Sequence, residues 1–229
     1  MRSSASNGPR RGQDFGRALR PVKAPARRHV NDEPMGKRIL IVQGHPDAGQ
    51  RHFCHVLAEA FAQGARGAGH DVQTIDIATI KFPLLRSKAD WDHGAVPAAL
   101  VPAQQAIHWA EHLVFFFPLW LGGMPALLKG FLEQVARPGF ALSAFAEGEL
   151  PKKLLTGRSA RLVVTMGMPA LVYRWYFRAH SLKALERNIL GFVGIAPIRE
   201  TLIGSVEGLS DAQRNAWLDK LGALGRKAD

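Results

Sequence analysis

The sequence predicts a doubly wound α/β domain: five parallel strands with helices on both faces. Three observations carry this. Short apolar runs that are continuous rather than alternating mark strands covered on both sides. Segments of helical period separate those runs, and strands alternating with helices give a parallel sheet with right-handed crossovers. Residues 113–129, LVFFFPLWLGGMPALLK, read as a buried strand that stops at Pro118, turns through Leu119-Trp120-Leu121-Gly122-Gly123 and restarts as a helix at Met124-Pro125.

Arg38-Ile39-Leu40-Ile41-Val42 is the first strand. In residues 51–67, Phe53, Val56, Leu57, Ala60 and Phe61 recur at three and four, the period of a helix, and Gly69 ends it. Residues 71–77 read as a second strand with Val72, Ile75 and Ile77 apolar. Residues 78–97, holding Pro83, Trp91 and Pro97, read as irregular. A helix over 102–111 opens on proline, the third strand covers 112–117, and a helix covers 125–135. A turn-rich insertion spans 137–155. The fourth strand follows at 159–166, a helix at 180–192, the fifth strand at 197–203 and a last helix at 210–224. Ser210 is its expected N-cap, three residues before Gln213. Five such strands predict the flavodoxin-like order.

The chain has 229 residues, 47% hydrophobic and 21% charged, enough for one domain with a full core plus a tail. One cysteine, Cys54, excludes an intramolecular disulfide and fits a reducing, cytoplasmic setting. The net charge of +11 is uneven: residues 1–34 hold eight Arg/Lys against three acids, leaving +6 for the rest. Residues 1–35 lack apolar periodicity and read as a disordered basic segment ahead of a domain at 36–229. That segment can be extra sequence before a start at Met35, an arginine-rich transit peptide, or a nucleic-acid arm. No aromatics alternate with its basic residues, so the stacking part of a nucleic-acid arm is missing. Residues 113–128 are apolar but fall short of the ~20 that a spanning helix needs, and no signal-peptide pattern is visible, so stable membrane insertion is not expected.

The first βα loop, Gln43-Gly44-His45-Pro46-Asp47-Ala48-Gly49-Gln50-Arg51-His52, follows strand one and opens a helix. A helix N-terminus carries free amides and partial positive charge, so phosphate binds there, and Arg51 and His52 add charge at the same end. The spacing Gly44-x4-Gly49 is that of a P-loop, but Gln50 and Arg51 stand where lysine and the magnesium-binding hydroxyl are required, which excludes nucleoside triphosphate hydrolysis. G-x-G-x-x-G is absent. The turn at residues 118–123 offers a surface for a flat aromatic ligand, because glycine lets a backbone approach closely. In an open α/β sheet the carboxyl ends of the strands are where ligands sit. His108 and His112 stand four apart without a third ligand, and His52, Cys54 and His55 lie around a helix, so no metal site is expected. Trp175, Tyr176 and Phe177 read equally as a lid, core or dimer packing.

Gly44-His45-Pro46, Phe53, Phe117-Pro118-Leu119-Trp120, the run from Gly123-Met124-Pro125 to Lys129-Gly130-Phe131, and Gly139-Phe140-Ala141 occur in that order. Over about residues 37–205 this resembles the NAD(P)H:quinone oxidoreductases of flavodoxin-like fold, the DT-diaphorase type. The resemblance implies FMN or FAD, hydride transfer from NAD(P)H through flavin N5 to a quinone or similar acceptor, and a homodimer. It also implies residue roles. His45, Arg51, His52 and Phe53 would hold the flavin phosphate. Pro118, Leu119, Trp120, Leu121 and Gly122 would carry the ring through backbone amides, with Thr165, Met166 and Gly167 flanking it. Tyr173 would hydrogen-bond the acceptor, His180 stands nearest the family's active-site histidine, and Phe140 would line the substrate pocket. The chain departs from the family in having Arg51-His52 where a hydroxyl residue commonly precedes the Phe. It also has Leu121-Gly122 in place of Trp-Phe, and lacks the long C-terminal extension of the FAD-type enzymes. Related chains serve as flavin-binding regulatory subunits of potassium-efflux-type transporters, which is the alternative function. A one-electron flavodoxin carrier is disfavoured because such carriers are acidic.

Overall fold

The structure, a computed structural model, describes residues 36–145 and 148–229; the basic segment 1–35 lies outside them. The elements are β1 (Arg38–Gln43), α1 (Phe53–Gly67), β2 (Asp71–Asp76), α2 (Lys88–His93), α3 (Val101–Trp109), β3 (His112–Pro118), α4 (Ala126–Val135), β4 (Ser159–Thr165), α5 (Ala170–Trp175), α6 (His180–Lys183), α7 (Gly191–Val193), β5 (Ile198–Ile203) and α8 (Asp211–Lys227). All strands pair in parallel, in the order β2-β1-β3-β4-β5.

Each central strand alternates its side chains between two cores. Ile39 and Ile41 of β1, Val114 and Phe116 of β3, and Val163 of β4 pack with Leu57, Phe61 and Ala65 of α1 and Leu221 of α8. Leu40 and Val42, Leu113, Phe115 and Phe117, and Leu162 and Val164 point the other way, onto α3, α4 and the α6–α7 segment. Burial on both faces explains why these strands are continuous apolar runs. On the first face α1 and α8 approach at their glycines. A Cβ built on Gly64 would stand 2.1 Å from the Gly222 carbonyl oxygen, and one on Gly225 the same distance from that of Phe61. Ser210 caps α8, accepting from the Gln213 amide while Gln213 returns a contact to the Ser210 amide.

Two local expectations are corrected and one helix is added. Residues 78–97 contain α2, nucleated by the Ser87 side chain accepting from the Asp90 amide. The helix expected over 180–192 is α6, a π-helical stretch Ala184–Leu190 and α7 in succession. Helix α5, capped by Pro169 directly after β4, was hidden because Val172, Tyr173, Trp175 and Tyr176 favour strands intrinsically.

Register fixes the geometry that matters for function. Gln43 of β1 aligns with Phe116 and with Asp76, and Pro118 aligns with Thr165. The loops after β1, β3, β4 and β5 therefore leave the same sheet edge. The chain turns one way from β1 to β2 and the other way to β3, so the switch point lies between β1 and β3. There Gly44 donates its amide to the Phe116 carbonyl at 2.7 Å. A Cβ on Gly44 would lie within about 3 Å of Leu128, Phe117 and Phe116, so only glycine fits.

Candidate active site

The β1–α1 loop and the β3–α4 turn face each other across the switch point, and His45 joins them. Its ring, 5% exposed, stacks on His52 with centroids 3.7 Å apart and planes 18° from parallel. Its edge meets the exposed Trp120 indole at 5.6 Å. His45 Nδ1 accepts from the Asp47 amide at 3.2 Å, Asp47 Oδ1 accepts from the Gly49 amide at 2.7 Å, and Asp47 Oδ2 lies 2.7 Å from His52 Nε2. The His52 amide donates to His55 Nδ1 at 3.0 Å, so a histidine fills the place Glu or Gln takes in a capping box. The amides of Phe53 and Cys54, at the start of α1, have no acceptor among the described residues.

Charge in this loop is tightly arranged. Burial, then the neighbouring His52 and His55, push the His45 imidazole down to about 4. The hydrogen bond from His52, with those from Gly49 and Gln50, holds the Asp47 carboxyl down to about 2. Burial also lowers His55. Arg51 extends outward, 62% exposed, and pairs with Glu59. The Phe53 ring lies under the Arg214 guanidinium at 5.2 Å. Arg51, His52, Phe53, Arg214 and Asn215 line a groove of about 550 Å³ between α1 and α8.

The opposite wall is a tight turn. Trp120 and Gly123 exchange two backbone hydrogen bonds of 2.9 Å, with Leu121 at φ 46° and Gly122 at φ 76° between them. Two positive φ values make it a type I′ turn. Glycine adopts that conformation freely, but a leucine there costs roughly 1–2 kcal/mol. The Leu121 side chain is fully exposed, so no burial within the chain offsets that cost. The Leu119 amide is consumed by the Thr165 carbonyl at 2.7 Å and that of Trp120 by Gly123. The amides of Leu121 and Gly122 have no acceptor among the described residues, and neither does that of Gly167 after β4. The wall thus offers fewer free donors than expected, confined to the turn's tip. The residues fit a flavin: open amides at a helix start beside Arg51 and His52 for an anion, and open amides beside an exposed indole for a ring edge.

Four expected residues are placed differently. Met166 is buried and gives its amide to the Ile203 carbonyl, so it belongs to the sheet. The Thr165 hydroxyl turns inward, 2.9 Å from Cys54 Sγ, and burial raises that thiol to about 11. Tyr173, expected at the substrate, is 2% exposed; it belongs to the same buried cluster as Phe117, Val164 and Leu182, and its hydroxyl lies 2.7 Å from Ser181 Oγ. It falls in α5, which follows the Pro169 cap directly after β4. Phe140 follows α4 and is partly buried against the core on that face of the sheet. His180 is exposed at the start of α6, and its imidazole has no hydrogen-bond partner among the described residues. Asp47, His55 and Arg214 belong to the site and were not anticipated. Arg214 is brought there by α8 packing on α1, which no local motif announces. An apolar cleft of about 530 Å³ beside Trp91, Leu132, Ile189 and Phe192 holds none of the expected residues.

A protein family described by its flavodoxin-like fold matches residues 37–224. The chain belongs to that family. Among curated proteins it is 26% identical over 184 residues to an uncharacterized NAD(P)H oxidoreductase of Haemophilus influenzae, covering 79% of this chain and 90% of that one. It is 32% identical over 146 residues to an FMN-dependent NADH:quinone oxidoreductase of Bordetella avium, covering 59% and 66%. Among solved structures, Smu.1420 of Streptococcus mutans superposes with a TM-score of 0.69 at 29% identity, covering 82% of this chain and 98% of that chain. Among the described residues no helix is long and apolar enough to cross a membrane.

Proposed function

We propose that this protein is an FMN-dependent NAD(P)H:quinone oxidoreductase. The observation that carries the reading is the pairing, across the β1/β3 switch point, of an open α1 start bearing Arg51 and His52 with the Trp120–Gly123 turn, which His45 bridges by its contact with Trp120. The Bordetella relative's name supports the same choice of cofactor and acceptor.

In this reading the amides of Phe53 and Cys54, with Arg51 and His52, hold the phosphate, and Glu59 releases Arg51 to it. The bound flavin supplies two-electron hydride relay between NAD(P)H and the acceptor. The amides of Leu121, Gly122 and Gly167 orient the ring edge and favour added negative charge there. Trp120 and Leu121 give the acceptor a flat apolar face, which suits hydride transfer because stacking at near-attack distance matters more than an acid–base pair. Tyr173 stays in the core with its hydroxyl on Ser181 and plays a structural part rather than acting on the acceptor. His180 and Phe140 are assigned to the acceptor side of a homodimer. Exposed apolar residues on and after α5, Leu171 at 70%, Trp175 at 78% and Tyr176 at 80%, supply surface for such a partner. A cytoplasmic setting suits the single reduced cysteine.

The test is turnover. Protein loaded with FMN should reduce a naphthoquinone with NADH or NADPH, and Trp120→Ala should raise KM for the quinone. Loaded protein that passes electrons from NAD(P)H to neither a quinone nor a related electrophile would refute the assignment.

A further inference from the structure

We infer that the imidazole cluster at the start of α1 binds a phosphomonoester dianion together with a proton, and so selects FMN over unphosphorylated riboflavin. The inference rests on the flavin reading above and concerns how that site holds its ligand.

Three imidazoles meet at one helix start. His45 and His52 stack at 3.7 Å, and His55 lies 5.4 Å from the first and 5.8 Å from the second. His45 is 95% buried by the exposure given above. Its Nδ1 is taken by the Asp47 amide, and its Nε2 has no partner among the described residues. The carboxylate in contact with the cluster is Asp47, already shared between His52 Nε2 and the Gly49 amide. Other charged groups face it from each neighbouring element. Glu59 on α1 pairs with Arg51, Asp76 at the end of β2 acts on His55, and Arg214 on α8 is held over Phe53. The β3–α4 turn contributes the uncharged edge of Trp120.

In the free site, burial and mutual repulsion disfavour protonation of His45 and His55. A dianion at the helix start reverses that balance, because two negative charges beside the rings raise their affinity for protons. Three rings crowded at one helix start, with His45 buried among them, leave room for one added proton rather than two. The proton comes from solvent to an imidazole nitrogen, and no bond of the ester changes. Riboflavin brings the same ring system without the charge and gives the cluster no reason to protonate. A serine in place of His52 still offers a hydroxyl to phosphate but removes the ring stacked on His45.

The experiment is calorimetric titration of cofactor-free protein with FMN and with riboflavin. It is run at about pH 7.5, where the free phosphomonoester, with its second pKa near 6, is already a dianion. Two buffers of different ionisation enthalpy are compared. The expected result is a buffer-dependent enthalpy equal to about one proton taken up per FMN, and a Kd that weakens up to about tenfold per pH unit on the alkaline side. Riboflavin should bind more weakly with no buffer dependence, and His52→Ser should bind FMN with most of the uptake gone. FMN binding with a buffer-independent enthalpy, equal uptake with riboflavin, or unchanged uptake in both His52→Ser and His45→Asn would overturn the inference while leaving the flavin site intact. Failure of FMN to bind at any pH would overturn the flavin reading itself, and the inference with it.

Discussion

Replacing Tyr173 with phenylalanine separates a structural phenol from a catalytic one. The substitution keeps the ring in the buried cluster with Phe117, Val164 and Leu182 and opens no cavity. It removes one hydroxyl–hydroxyl bond of 2.7 Å to Ser181. Ser181 is half-buried, so water can replace part of what it loses. The net loss is therefore about 1 kcal/mol, the usual worth of an intramolecular hydrogen bond. For a domain of this size that lowers Tm by roughly 2–4 °C. Removal of a general acid would instead cost about 10²–10⁴ in rate. Differential scanning calorimetry and NADH–naphthoquinone kinetics on the FMN-loaded Tyr173→Phe protein distinguish the two. We expect the small drop in Tm with kcat little changed. An unchanged Tm with kcat down by about 10² would refute the reasoning and put the phenol on the substrate.

Other consequences follow from the same geometry. Gly64→Val should destabilise by about 3 kcal/mol or abolish folding, because the new Cβ meets the Gly222 carbonyl; urea unfolding measures it. Leu121→Gly should stabilise by up to about 1 kcal/mol, relieving the left-handed leucine; an unchanged urea midpoint would mean the turn is unstrained. Burial lowers His112 to about 4, its Nδ1 meeting Ser159 and its Nε2 lacking a partner. Its unfolded value lies near 6.5, so the unfolded state binds the extra proton. Stability is therefore full above that pH and declines as pH falls from 6.5 toward 4, by up to about 3 kcal/mol. His112→Gln should flatten this decline, and an equal slope in both proteins would assign it elsewhere. Cys54, its thiol raised to about 11 and buried, should resist alkylation at neutral pH until the protein unfolds, as mass spectrometry after iodoacetamide would record.

The fold was legible because β1, β3 and β4 are buried on both faces and so appear as unbroken apolar runs, and because Ser210 and Gly69 mark helix ends with local chemistry. The site was legible as a place, since the loops after β1 and β3 must meet at a switch point. The directions of individual groups were not legible. Met166 follows β4 as expected, but β5 consumes its amide. Tyr173 has the expected spacing after Thr165, yet it falls in α5, which follows the Pro169 cap, and its ring is buried. Arg214 reaches Phe53 only through the packing of α8 on α1, where Gly64 meets Gly222 and Gly225 meets the Phe61 carbonyl. His52 and His55 read as residues spread around a helix, and only the curl of the loop that stacks His45 on His52 brings the three rings together.

The central claim is best tested by the absorption spectrum of the purified protein reconstituted with FMN, followed by NAD(P)H addition without oxygen. The account predicts one FMN per chain, bands that bleach with about one equivalent of NAD(P)H, consistent with two-electron transfer, and their return on adding a quinone. A protein that cannot be loaded with FMN, or whose bound flavin NAD(P)H leaves oxidised, would contradict it.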